Sequence, residues 1–146
     1  MAAMAVMLAG ASPALAADWY YVDEAQDGTS VTYVDKDSIK ADNDGYLGAT
    51  MFSMLAEAED GTKAYRFTLV VDCAGKRSKL TGGEAFGENQ VSAGYNSIPA
   101  EWQATDPGSQ GDTITGFICA GGKTGAASAG AALPFDAAAK KLAEHK

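Results

Sequence analysis

The chain has 146 residues and a formal net charge of −8, from 11 Lys and Arg against 19 Asp and Glu. Such an acidic surface disfavours nucleic acid and anionic lipid as partners, because phosphate contact needs a basic face. With two cysteines and one histidine there is too little material for a closed zinc site, and 17 glycines favour turns and loops over long helices.

Residues 1–16 (MAAMAVMLAGASPALA) read as a signal peptide. Ala2 to Leu8 is apolar, Gly10 and Pro13 break the run, and Ala14-Leu15-Ala16 is a small-x-small cleavage pattern, so the cut is expected after Ala16. The apolar run falls far short of the roughly 18 to 20 residues that span a bilayer. No Lys or Arg precedes it, so either the true start lies upstream of Met1 or the leading region is atypical. Leu15-Ala16-Ala17-Asp18 offers no cysteine to carry acyl chains. The expectation is a periplasmic or secreted protein without a membrane span or lipid anchor, in which 146 − 16 = 130 residues form a single domain.

Asp-Gly occurs at Asp27-Gly28, Asp44-Gly45 and Asp60-Gly61, each between stretches of β-formers. The dipeptide supplies the positive φ of tight hairpins, so four consecutive antiparallel strands are predicted. They cover about Trp19–Asp23, Ser30–Asp35, Tyr46–Ala56 and Ala64–Cys73. In the fourth, Tyr65, Phe67, Leu69 and Val71 alternate with Arg66, Thr68, Val70 and Asp72, the pattern of a sheet with one buried side. A fifth strand is expected over Lys76–Phe86 and a short sixth over Gly94–Ile98, with Asp106-Pro107-Gly108 as a turn. Over Asp112–Cys119 two readings stand. Ile114, Phe117 and Ile118 suit one face of a helix capped by Asp112, whereas Thr113, Thr115 and Gly116 suit a strand.

Residues 120–132 (AGGKTGAASAGAA) read as a flexible Gly/Ala linker. Residues 133–146 carry a C-terminal helix, capped by Asp136 and running to about Glu144. Phe135 and Leu142 give it a thin apolar stripe, so loose docking or fraying is expected. The fold class is therefore α+β: mainly an antiparallel sheet of about five or six strands with a meander start, one or two short helices and one disulfide.

In an oxidising compartment two cysteines pair, so Cys73 and Cys119 are read as a disulfide closing 119 − 73 = 46 residues. The chain-entropy account puts such a closure near 4 kcal/mol, a sizeable part of a typical net stability of about 5 to 15 kcal/mol.

No catalytic constellation is legible, and an enzyme is not expected. His145, the one histidine, sits next to the C-terminal residue, where a frayed tail cannot hold an imidazole in a triad. Asp42-Asn43-Asp44-Gly45 resembles a calcium loop, but aligning Gly45 with the loop glycine puts Lys40 and Met51 at ligand positions; a hairpin turn is expected, with weak cation binding by Asp35, Asp37, Asp42 and Asp44 left open. Glu57, Glu59 and Asp60 would be solvated alike, and Glu84, Glu88 and Glu101 are scattered, so no acid–base pair is assigned. Lys76, Arg77 and Lys79 form the basic cluster. Arg77 and Lys79 share one strand face, Lys76 takes the other, and the three are not expected to converge on one ligand; a solvated face or a charge-guarded edge is expected, with phosphate or glycan binding as the alternative. Of Trp19, Tyr20, Tyr21, Tyr33 and Tyr46, the adjacent tyrosines face opposite ways, so at least one points outward. Gly82-Gly83 lacks the Lys-Ser/Thr of a phosphate loop. No metal and no cofactor are assigned.

Asp18-Trp19-Tyr20, Val31-Thr32-Tyr33-Val34-Asp35 with Ser38-Ile39, Val71-Asp72-Cys73, Trp102, Pro107-Gly108-Ser109 and Cys119 resemble, in order and spacing, the surface-adhesin protein E-like family of bacterial envelope proteins. The resemblance covers about Asp18 to Cys119. It implies an exported antiparallel sheet domain with helical packing, binding to host matrix and serum proteins, and pairing as a homodimer. The namesake's lipidation cysteine has no counterpart here. The expected function is an exported, non-enzymatic binding module of the envelope, with a protein partner or extracellular ligand. The alternative is a periplasmic structural or accessory factor.

Overall fold

The computed structural model describes residues 16–146, and the expected leader lies outside them except for Ala16. The strands are β1 (Trp19–Glu24), β2 (Ser30–Ala41), β3 (Leu47–Glu59), β4 (Thr62–Asp72), β5 (Arg77–Phe86), β6 (Ser92–Ser97) and β7 (Gln103–Ala104). The helices are α1 (Gln110–Cys119) and α2 (Phe135–Ala143). One antiparallel sheet runs β1-β2-β3-β4-β5-β6, and β7 pairs with β5. The meander follows from the Asp-Gly turns. Gly28, Gly45 and Gly61 take φ of 70, 81 and 80°, and Asp60 joins Gly61 with φ 49°, so the third turn holds two consecutive left-handed residues.

Three elements differ from the sequence reading. β2 continues six residues past Asp35, across a register shift between Asp35 and Lys40. The Ser38 hydroxyl spans that irregularity, accepting from the Thr50 N–H at 2.8 Å and donating to the Asp35 carbonyl at 2.6 Å. The sixth strand lies at Ser92–Ser97, two residues earlier at its start than expected, with Gly94 at φ 99° where β6 slips against β5. β7 was not foreseen.

The region 112–119 is helical. Its cap is Ser109 and not Asp112: the Ser109 hydroxyl accepts from the Asp112 N–H at 3.1 Å, while the Asp112 carboxylate accepts from the Gly108 N–H at 2.9 Å. In α2, Asp136 occupies the first turn and the capping position is Pro134.

Both sheet faces are buried, each over half its length, in place of the single buried side that the alternation suggested. Residues directly opposite in register share a face. On one face α2 sets Phe135, Ala138 and Leu142 against Trp19, Val31, Tyr33, Phe52, Met54, Ala64 and Phe86. Phe135 meets Phe52 and Phe86 edge-on at centroid distances of 5.0 and 5.4 Å. On the other face α1 sets Ile114 and Ile118 against Val34, Ala49, Leu69 and Val71. α2 therefore covers the end carrying the Asp27-Gly28 and Asp60-Gly61 turns, and α1 covers the opposite end of the opposite face.

α2 is docked, not frayed. Ala138 is 0 % exposed and Leu142 6 %, because a small side chain lets the helix approach closely enough for its narrow stripe to suffice. Ahead of it, Trp19 N–H donates to the Gly130 carbonyl (3.1 Å) and Ala129 N–H donates to the Trp19 carbonyl (2.7 Å), tying this segment to the outer side of β1. Cys73 and Cys119 form a disulfide with Cα atoms 5.9 Å apart, joining the end of α1 to the turn after β4.

Candidate binding face

Two helices at opposite ends of opposite faces leave one end of each face uncovered, each a quarter of the two-sided sheet. The quarter beside α2 is chemically the richer. Lys40, Gly48, Val70 and Lys79 are directly opposite one another in register across β2 to β5, so they form one row on this face. Tyr46 stands just before the first residue of β3, and Arg77 pairs with Asp72 one row further out.

Trp102 closes this row. Its ring lies 4.4 Å from the Arg77 guanidinium carbon and 4.6 Å from Lys79 Nζ, and meets the Tyr46 ring edge-on at 5.1 Å. β7 positions it, because Gln103 and Ala104 pair with Ser78 and Arg77 and so bring the residue before them back over β5. Two of the three cations therefore do converge, on an indole. Lys76 stands apart in the turn with φ 51°. Arg77 Nε donates to Asp72 Oδ2 at 2.8 Å. The Asp72 carboxyl is held below the usual carboxylate range, first by the Gly75 N–H and then by Arg77, while the Asp72 bond raises Arg77.

The next row is hydroxylic. Thr50 pairs with Thr68, and Thr81 Oγ1 lies 3.0 Å from Thr68 Oγ1. Tyr95, 54 % exposed, reaches across the sheet so that its hydroxyl lies 3.0 Å from Thr68 Oγ1. It crosses directly over Gly82, where a Cβ would stand 1.7 Å from the phenol oxygen, so only glycine admits the ring. Beyond it Arg66 pairs with Glu84, which also accepts from the Ser92 hydroxyl.

The uncovered quarter on the α1 side is plainer: Tyr65 and Phe67 stack at 5.4 Å with ring planes 13° apart.

The other candidates are accounted for locally. His145 is held: Nε2 lies 2.9 Å from Glu24 Oε2, and the ring packs beside Gly28. That bond is the main reason the Glu24 carboxyl sits below its ordinary range. The Asp42 carboxylate accepts the N–H groups of Asp44 and Tyr46, both at 2.9 Å, as in a side-chain-closed turn. Asp35 accepts from the N–H groups of Asp18 (2.8 Å) and Asp37 (3.0 Å). Neither adjacent tyrosine points freely outward: Tyr20 packs on Phe117, and Tyr21 on Tyr33 under the Lys141 ammonium. A concavity of about 410 Å³ lies at the hairpin ends and is lined by Asp27, Thr29, Glu57 and Glu59 among others. There Asp27 is spent on the N–H and hydroxyl of Thr29.

Sequence reasoning placed Arg77 and Lys79 together but missed Trp102, Tyr95 and Lys40. Trp102 follows Pro99 in a stretch without periodicity, and the signal that could have found it is its proline-led return towards a strand carrying two cations.

The model of the surface-adhesin protein E family matches residues 19–120. No curated protein matches the chain.

Proposed function

The chain belongs to the surface-adhesin protein E family, whose model spans residues 19–120, and on that premise we propose that it is an exported, non-enzymatic binding module of the bacterial envelope. Its working surface is the uncovered quarter beside α2, and its partner is a protein or an extracellular ligand. The observation that carries this reading is the gathering of Arg77 and Lys79 on Trp102, on the end of the sheet face that α2 leaves uncovered. A large ring with flanking cations and a polar border is the composition of a contact surface. Homodimer formation, implied by the family, belongs to the same proposal and is read from sedimentation of the native protein.

Fractionation of the native protein, followed by plate binding to matrix proteins, tests it. Recovery at the cell exterior with saturable binding that Trp102→Ala weakens is the expected result. Confinement to the periplasm would remove the adhesin reading and leave the second one, an accessory factor acting on an envelope partner. That second reading is favoured by Leu15-Ala16-Ala17-Asp18, which has no acyl-bearing cysteine at the expected cut.

A further inference from the structure

Resting on the reading of this quarter as a contact surface, we infer that it binds a short anionic saccharide. The acid group meets Lys79, and a sugar ring lies beside Trp102 over the row from Gly48 to Val70.

The first observation is an uncompensated cation. Among the described residues Lys79 makes no ion pair, whereas Arg77 beside it is committed to Asp72. A ring attracts an ammonium weakly without neutralising it, so Lys79 remains available to an anion. Lys40 sits at the other end of the same row and is exposed, also without an ion pair among the described residues. Three strand spacings of about 4.8 Å separate the two, about 14 Å in all.

The second observation is the relief and chemistry between them. Gly48 contributes no side chain and Val70 is half-buried, so the floor of the row is low and apolar. Thr50 and Thr68 border it; Thr50 Oγ1 makes no hydrogen bond among the described residues and can donate and accept, whereas Thr68 Oγ1 is already shared with Thr81 and Tyr95. An apolar floor, one indole, the Thr50 hydroxyl and a free ammonium complement a sugar that has an apolar ring face, hydroxyl edges and a carboxylate or sulfate.

The third is the field of the whole chain. At a net charge of −8 the surrounding surface repels a long polyanion, so the ligand is short and its charges are few. Nucleic acid and anionic bilayers, which need an extended basic face, are disfavoured on the same ground.

The test is a titration of the purified full chain followed by NMR of the two indole N–H groups. The probes are 3′-sialyllactose (carboxylate), lactose 3′-sulfate (sulfate) and lactose (neutral). The expected result is a shift of the Trp102 indole signal by one or both acidic sugars but not by lactose, with the buried Trp19 signal still. Lys79→Gln weakens binding about tenfold, the loss of one charge-assisted contact, while Lys79→Arg largely keeps it and Lys140→Gln leaves it unchanged. Response to the carboxylate alone or the sulfate alone identifies the source of the charge.

Equal shifts by lactose, no shift by any probe at about 10 mM, wild-type affinity in Lys79→Gln, or stronger competition by anionic vesicles than by the acidic sugars would each overturn the inference. Lys79 is only half-buried, so its variants fold, which is checked by an unchanged Trp19 signal. Because the titration uses purified protein, its outcome is independent of where fractionation places the chain, and the two readings can fail separately.

Discussion

At the scale of single residues, the junction of β1 with α2 shows how burial sets protonation. The Tyr21 phenol is pushed up to about 12, first by burial and then by the Glu24 carboxylate. Tyr20 and Tyr33 are also raised, each mainly by burial. A raised phenol resists ionisation in the folded chain, so its contribution is fully present below about pH 10, the unfolded value, and is lost as pH rises towards about 12. Ultraviolet titration of the folded protein should therefore show late-ionising tyrosines, one of which disappears in Tyr21→Phe; a curve complete by pH 10.5 would contradict this. Glu24 has the opposite sign. Its lowered value stabilises the fold above the ordinary carboxylate range, and that contribution is lost as the pH falls through the folded value. The opposed directions of Tyr20 and Tyr21 were legible from strand alternation. The seat of His145 on Glu24 was not, because it depends on where α2 docks.

At the scale of elements, local chemistry and long-range packing divide cleanly. Three Asp-Gly turns and the alternation of Tyr65 to Val71 make the meander readable from the chain alone. What stayed hidden depends on contacts distant in sequence: β7 exists because residues 103–104 return to β5, and β2 runs on because Ser38 bridges to Thr50. α2 was readable as a helix but not as a core element, since its stripe comes to three residues only when Ala138 is counted as a contact. Leu142→Ala removes the last of them, and a loss of about 2 to 5 kcal/mol is expected from the cavity and transfer terms. Urea unfolding measures it; a loss under 1 kcal/mol would mean that α2 rests on the sheet without supporting it.

At the scale of the whole molecule, neighbours in sequence are neighbours in the sheet, and the remote closures are made by the helices and by Cys73–Cys119. The double variant Cys73→Ser/Cys119→Ser should lose about 4 kcal/mol, the closure entropy of a 46-residue loop. The check is a matching shift in denaturation midpoint between this variant and the reduced wild type. The candidate face lay beyond sequence reading for the same reason: its indole, its cations and its hydroxyls come from six separate segments. The outer rim of β6 has a further consequence. From Asn89 to Ala100 it carries no charge, and Ser92–Ser97 is exposed throughout, so the usual electrostatic guard against sheet-to-sheet sticking is missing. The left-handed kink at Gly94, whose N–H donates to Ser92 Oγ, breaks the regular line of that rim, so molecules in concentrated solution are expected to pair edge to edge more readily once this position is straightened.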